Sequence, residues 1–115
     1  MNKAETTGKT TLTPNVVLTI ARMAALQVDG VMGMASIKPG LPKLKSKSKE
    51  GVNLVLEDDI VFLDLYLIID GDFNIRDVSR NVQQQVARSI SEMTGLEVGL
   101  INVHIEDIQY ENSND

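Results

Sequence analysis

Three oxygen-bearing side chains at alternate positions could hold a calcium ion. Asp70, Asp72 and Asn74 match the first three ligand positions of a D-x-D-x-N calcium loop. The match then stops, because Ile75 stands where the loop needs glycine and Asn81 where it needs a bidentate glutamate. A strand pattern also precedes this segment, where a calcium loop would follow a helix. We therefore predict a turn and a helix cap here, and no metal site.

His104 is the single histidine, so any Ser-His-Asp triad or imidazole metal site would need it. It lies on the polar side of a predicted strand, and no G-x-S-x-G elbow accompanies it. Asp58 and Asp59 cannot pair with Asp70 in acid–base catalysis, because the strand between them spans roughly 30 Å. Asp64 has only aliphatic and aromatic neighbours in sequence. We predict a surface or hydrogen-bonded structural histidine and no catalytic residues.

Two patterns bear on nucleic-acid binding. Gly30 and Gly33 have the G-x-x-G spacing of the KH clamp, but no basic residue lies between them and no helical pattern follows. We predict a tight turn at this point. Aromatic residues make up only 3% of the chain, so platforms for base stacking are scarce. There is no Walker or dinucleotide loop either, and we expect no nucleic acid, small-molecule substrate or cofactor.

The strongest charge feature is a run of lysines. It holds four of the eleven basic residues within seven positions, namely Lys43, Lys45, Lys47 and Lys49. Each basic residue near an anionic membrane contributes on the order of 1 kcal/mol, so the run could contact acidic lipid, nucleic acid or an acidic partner. The net charge of −5 disfavours general affinity for phosphates. The alternative is a solvated, solubilising loop.

Composition bounds the class of protein. The 115 residues fit one domain, and 43% hydrophobic with 23% charged residues is ordinary for a globular chain. The absence of cysteine excludes disulfides and thiolate chemistry. We expect no export signal and no membrane span. The predicted domain covers 13–110, with a flexible N-terminus at 1–12, a mobile basic loop at 38–51 and a flexible tail at 111–115.

Periodicity predicts the elements that would position these residues. Thr13 and Pro14 begin a helix over 14–28, and Asn74 caps a second helix over 75–94. Strands are predicted at 31–37, 52–56, 60–69 and 97–108, with a bulge in the last between Leu100 and Ile101. The fold class is α+β, a mixed three- or four-stranded sheet with two helices on one face, in the order α-β-β-β-α-β. A right-handed crossover should make strands 60–69 and 97–108 parallel.

Strand 60–69 is apolar on both sides. One side is wholly aliphatic, whereas the other carries Ile60, Phe62, Tyr66 and Ile68 around Asp64. Two helices can cover only one side, and burying each such side chain contributes roughly 1.5 to 3 kcal/mol, which favours self-association or a partner. The alternative is that the loop or the N-terminal segment covers this side. The candidate interaction surface is Phe62, Tyr66 and Ile68, together with Lys43, Lys45, Lys47 and Lys49.

Several segments in combination resemble the alkaline shock protein family of bacteria, whose members include cell envelope stress response proteins. They are GDFNIRDV at 71–78, NVQ at 81–83, MTGLEV at 93–98 and VHIEDI at 103–108. The first helix with the following DGV at 29–31, and GV at 51–52, resemble the N-terminal half of the family. The resemblance spans about residues 13–110. The long Lys/Ser loop with two prolines departs from the family pattern.

The resemblance implies a non-enzymatic cytoplasmic protein linked to envelope homeostasis and stress tolerance. Such proteins are often abundant, self-associate, and are placed at the membrane by a partner; no family active site carries over. We therefore expect an interaction protein of the cell envelope stress response, a homo-oligomer with a membrane-anchoring protein partner, at the inner face of the cell membrane. The alternative is a peripheral nucleic-acid or anionic-lipid binder that uses the Lys-rich loop.

Overall fold

A computed structural model describes residues 7–36 and 46–110 of the chain. The α+β class, the mixed sheet and the placement of both helices against one core are confirmed. Within these described residues, however, the sheet has five strands and not three or four. In chain order the elements are α1 (Pro14–Leu26), β1 (Val31–Met34), β2 (Ser46–Lys49), β3 (Val52–Glu57), β4 (Ile60–Asp70), α2 (Ile75–Thr94) and β5 (Glu97–Gln109).

Strand β4 is the centre of the sheet. It pairs in parallel with β5 along its whole length, from Ile60 to Asp70. On its other edge β3 pairs antiparallel with residues 60–65, and β1 pairs antiparallel with residues 67–69. Strands β1 and β3 therefore lie end to end in one row, and β2 pairs with the outer edge of β3. The predicted parallel relation is confirmed, and the two parallel strands are direct neighbours.

The additional strand falls in the predicted basic loop. Residues 46–49, assigned to that loop from the sequence, form β2 and pair antiparallel with β3. Glu50 and Gly51 make the tight turn between the two strands with φ values of 49° and 84°. The Lys/Ser composition gives no hydrophobic alternation, which is why the pattern did not indicate a strand. The rest of the predicted loop, 38–45, and the segments 1–6 and 111–115 lie outside the described residues.

The boundaries of the helices follow from their caps. The Asn74 side chain accepts the amide of Asp77 at 3.0 Å, and Gly95 ends α2 at φ 76°, which confirms the prediction of 75–94. Helix α1 ends at Leu26, earlier than predicted, because the amides of Gln27 and Val28 bond to carbonyls three residues back and tighten the chain into a turn.

One face of β4 forms the centre of the core. Its side chains from Val61 to Ile69 at every second position are 1% exposed or less, as the alternation predicted. The helices pack against them with Val17, Leu18, Ile20, Ala21, Ala24 and Ala25 from α1 and with Val78, Val82, Val86 and Ile90 from α2. Both helices therefore lie on this face, and no helix of residues 7–36 and 46–110 covers the opposite face of the sheet.

Strand β5 has 13 residues where β4 has 11. Its register against β4 shifts at Gly99 and again at Glu106, so the strand contains two bulges. The bulge predicted between Leu100 and Ile101 lies one residue earlier, at the glycine. A Cβ atom at Gly99 would stand 2.7 Å from Phe62 Cε1 and 2.8 Å from Ile60 Cγ2. Any residue larger than glycine at position 99 would clash with these two side chains.

Candidate interaction surface

The sheet face opposite the helices is the candidate site, and we call it the open face. Its side chains follow from the strand register, since residues paired across strands point to the same side. In contrast to the core face, they are half-buried or exposed. The open face includes Asn53, Val55, Ile60, Phe62, Asp64, Tyr66, Ile68, Leu100, Asn102 and His104, and the same register adds the exposed acidic residues Glu57, Glu97 and Asp107.

An apolar row crosses the open face near one end of β4. Phe62 pairs with Val55 of β3 on one side and with Leu100 of β5 on the other. Leu100 is 54% exposed, although it is a large aliphatic side chain. The Gly99 bulge beside this row gives the Phe62 ring its space. The row is a flat apolar strip of three strands with no cover among the described residues.

A polar row runs beside the apolar one. Asn102 Nδ2 donates to Asp64 Oδ1 at 3.2 Å, and His104 Nε2 lies 2.9 Å from the same oxygen. The Asn53 side chain also bonds to Asp64, and the Ser48 hydroxyl donates to Asn53 Oδ1 at 2.7 Å. The row thus connects side chains from β2, β3, β4 and β5. It fixes the Asp64 carboxylate in the middle of the open face.

An aromatic stack completes the centre of the open face. The rings of Tyr66 and His104 lie 4.5 Å apart between centroids, at an interplanar angle of 12°. The two residues are register partners on β4 and β5. His104 is therefore held on two sides, by the stack and by the bond to Asp64. This agrees with the prediction of a hydrogen-bonded structural histidine.

The electrostatics of this cluster follow from its bonds. Burial is the largest influence on Asp64 and acts to raise its pKa, but the hydrogen bonds from His104 and Asn102 outweigh it. Together with attraction to the His104 ring, they hold the pKa of Asp64 below its ordinary value. Burial and the negative charges of Asp64 and Glu106 raise the pKa of Tyr66. At neutral pH the open face therefore presents one anchored carboxylate beside a neutral phenol.

The Asp70 segment performs the structural role predicted for it. Asp70 Oδ1 accepts the amide of Asp72 at 2.9 Å, and Asn74 caps α2. These oxygens are thus occupied by backbone donors. Over residues 7–36 and 46–110, no group of three His, Cys, Asp or Glu side chains is placed to hold a metal ion.

The structure separates the two halves of the predicted interaction surface. Phe62, Tyr66 and Ile68 lie together on the open face. Lys47 pairs with Leu54 and Lys49 with Val52, whose side chains both belong to the core face, so these two lysines lie on the helical side of the sheet. Lys43 and Lys45 lie outside the described residues. The lysines therefore do not extend the Phe62 surface.

The sequence did not reveal the contact between Asp64 and His104. Alternation placed Asp64 on the side of Phe62, and it placed Asn102 and His104 on the polar side of the last strand. The missing information was that β4 and β5 are neighbours, with Asp64 opposite Asn102 and Tyr66 opposite His104. To predict this cluster, the register between β4 and β5 would have had to be known.

In the part of the chain that the structure describes, neither helix combines the length and apolar character needed to cross a membrane.

Comparison with known sequences matches residues 2–110 to the alkaline shock protein 23 family, described as having a cell envelope-related function. The uncharacterized protein YqhY of Bacillus subtilis is 33% identical over 107 residues, which cover 90% of this chain and 79% of YqhY. YloU of the same organism is 29% identical over 110 residues, covering 91% and 92%. Spy1614 of Streptococcus pyogenes is 29% identical over 107 residues, covering 89% and 88%.

Solved structures share the fold. MamM CTD M250L superposes with a TM-score of 0.59 at 17% identity, over 81% of this chain and 95% of that chain. The zinc form of MamM CTD D249N gives the same TM-score at 14% identity, over 87% and 91%. At these identities the likeness concerns the arrangement of helices and strands alone.

Proposed function

Because this chain belongs to the alkaline shock protein 23 family, whose function is related to the cell envelope, we propose that it is a non-enzymatic interaction protein of the envelope stress response. It acts by associating with further copies of itself and by binding a membrane-anchoring protein at the inner face of the cell membrane. The observation that carries the proposal is the open face, where Phe62 and Leu100 lie in a strip without helical cover.

The chemistry of the open face suits a second copy of the chain. Its apolar strip gains from any apolar cover, since burying such side chains contributes roughly 1.5 to 3 kcal/mol each. Its polar row contains donors, such as the amide of Asn102, beside the Asp64 acceptor. A two-fold axis through the face would therefore offer each copy both kinds of group. The competing possibility, which the sequence allowed, is that a loop or the N-terminal segment covers the open face.

The lysines of the Lys-rich segment do not support a second function. Lys47 and Lys49 lie on β2, which is an edge strand, and they lie on the opposite side of the sheet from the open face. Lysines at a sheet edge hinder pairing with strands of other molecules. This structural role accounts for the two described lysines without any anionic ligand.

Light scattering over a range of protein concentrations tests self-association. We expect the mass of the wild type to rise with concentration and that of Phe62→Asp to rise much less, because a carboxylate in the apolar strip must be desolvated on association. Gln84→Asp is the control, since it adds the same charge on the exposed side of α2. A wild type that stays monomeric at high concentration, and is unaltered by Phe62→Asp, would exclude the assembly.

The membrane-anchoring partner is tested separately, by crosslinking in the native host followed by purification of this chain. We expect a membrane protein to be recovered with the wild type and to be lost when Phe62 is replaced by Asp. Recovery of cytoplasmic proteins alone, with no protein from the membrane fraction, would contradict the membrane part of the proposal.

A further inference from the structure

Helix α1 is apolar on two sides. One side is in the core, whereas the other exposes Val16 at 41%, Met23 at 53% and Leu26 at 37%. Helix α2 exposes Ile75 and Met93 only near its two ends, and its exposed positions between them include Arg76, Arg80, Gln84 and Arg88. A surface helix normally buries a single apolar stripe. The second stripe of α1 lies on the helical side of the sheet, so the open face does not explain it.

The exposed stripe has the spacing of a coiled-coil seam. Val16, Thr19, Met23 and Leu26 follow one another at intervals of three, four and three residues, which are alternating a and d positions. The order is symmetric about residue 21. When two such helices run antiparallel, Val16 of one lies opposite Leu26 of the other, and Thr19 lies opposite Met23. Each layer then combines an a residue with a d residue, and the small Thr19 leaves room for the long Met23.

The charges at the ends of α1 favour the same antiparallel pairing. The first turn contains no acidic residue, and the Thr13 side chain makes no cap hydrogen bond, so neither supplies an anionic group to the positive end of the helix dipole. Asp29 is exposed just beyond the C-terminal end. In the symmetric register the C-terminal end of α1 in one copy, with Asp29 just beyond it, lies beside the N-terminal end of α1 in the other. A parallel pairing would instead align the dipoles and place Asp29 beside Asp29.

One basic residue beside the stripe has an acidic partner within the chain. Arg22 flanks the seam on one side, and its Nε lies 3.7 Å from Glu50 Oε2. Two copies related by the two-fold axis would bring two such pairs near one another, with both signs present. Lys47 and Lys49 of β2 lie on the same side of the sheet as this pair.

From these observations we infer that the exposed stripe of α1 is a homotypic interface, in which α1 pairs antiparallel with α1 of a second copy. The inference rests on the proposed self-association but uses a different surface. A helix pair of four layers is small beside the roughly 1,200 to 2,000 Å² that stable interfaces bury. The open face strengthens it by raising the local concentration of copies, and at high protein concentration it also forms without the open face. Because the two surfaces lie on different sides of the sheet, one copy can use both at once.

The test compares Met23→Glu with Gln84→Glu, the same kind of change on the exposed side of α2. Both are made in the wild type and in Phe62→Asp, and masses are measured by light scattering at high concentration. We expect Met23→Glu to lower the mass in both backgrounds, and in Phe62→Asp to approach the 12.6 kDa of one chain. Gln84→Glu should leave both masses unchanged. Thermal melting checks that each variant is folded, and Leu26→Glu is the second variant of the stripe.

A charge-pair experiment tests the register itself. Thr19→Lys lies opposite Met23→Glu only in the antiparallel arrangement, so an equimolar mixture of the two variants should recover a mass that neither variant reaches alone. A mixture that stays at the masses of its components would overturn the antiparallel pairing.

The outcomes separate the two surfaces. If Met23→Glu leaves the masses unchanged in both backgrounds, the α1 interface is wrong, whatever Phe62→Asp does. If instead Met23→Glu lowers the mass and Phe62→Asp has no effect, the α1 interface stands and the open face loses its role in assembly. Loss of binding to anionic vesicles by Met23→Glu, without a change in mass, would assign the stripe to a lipid surface and overturn the inference.

Discussion

His104 Nε2 lies 2.9 Å from Asp64 Oδ1, across two parallel strands and 40 positions of sequence. Neither residue had a partner that the sequence could identify. Together with the Tyr66 ring they form the ordered centre of the open face. The cluster resembles two members of a catalytic triad, but its bonds hold the Asp64 carboxylate in place, and an apolar strip lies directly beside it. We interpret it as a specificity element of a binding surface.

Replacing Asp64 by Asn should reduce stability in a pH-dependent way. Because the folded state holds the pKa of Asp64 below its ordinary value of 3.8, its contribution is present above that value and is lost as the pH falls through the folded pKa. We expect a loss of about 0.5 to 1 kcal/mol at neutral pH, which disappears in strong acid. Urea unfolding at both pH values measures it. Asp59→Asn, at an exposed turn, is the control and should show no such difference.

Tyr66 should titrate above its ordinary value of 10.0, because burial and the charges of Asp64 and Glu106 disfavour the phenolate. Its contribution to stability is thus complete below pH 10 and is lost as the pH rises through the folded pKa. Ultraviolet titration of a Tyr110→Phe chain, where Tyr66 is the one remaining tyrosine, measures this directly. Adding Asp64→Asn should lower the midpoint. A midpoint that does not move would show that the Asp64 charge has no influence on the ring.

Two glycines on the strands that flank β4 on opposite edges should respond differently to alanine. At Gly99 a Cβ would stand 2.7 Å from Phe62, whereas at Gly33 it would meet nothing within 4 Å. We expect Gly99→Ala to destabilise by about 1 to 3 kcal/mol and to weaken self-association, because the Phe62 ring must move. Gly33→Ala should stay within about 0.5 kcal/mol of the wild type. Chemical denaturation and light scattering measure the two effects, and equal values for the two variants would rule out the packing role of Gly99.

Local chemistry made much of the fold accessible from sequence. The Asn74 cap and the left-handed Gly95 define α2 within a single stretch of chain, and strict alternation identifies the two faces of β4. The family resemblance rests on the same local segments, and the family match over residues 2–110 confirms it.

The features of the fold and of the open face that the sequence did not predict depend on contacts between residues far apart in the chain. Strand β2 forms because its backbone pairs with β3, although its own side chains show no strand pattern. The bulge lies at Gly99 because the Phe62 ring needs the space beside it. The hydrophobic periodicity of the sequence carries no information about this contact. The Asp64 and His104 contact needed the pairing of β4 with β5. Alternation did place Phe62, Tyr66 and Ile68 on one face, whereas the sequence could not show that Lys47 and Lys49 lie on the other.

The two bulges of β5 also limit how molecules of this protein can aggregate. Thirteen residues matched against eleven give an irregular, more strongly twisted outer strand, and the Gln83 side chain donates to the Ile101 carbonyl at 3.0 Å. At the other margin, β2 carries Lys47 and Lys49. Neither margin is a good template for cross-β extension, so high protein concentration should yield reversible clusters and no amyloid.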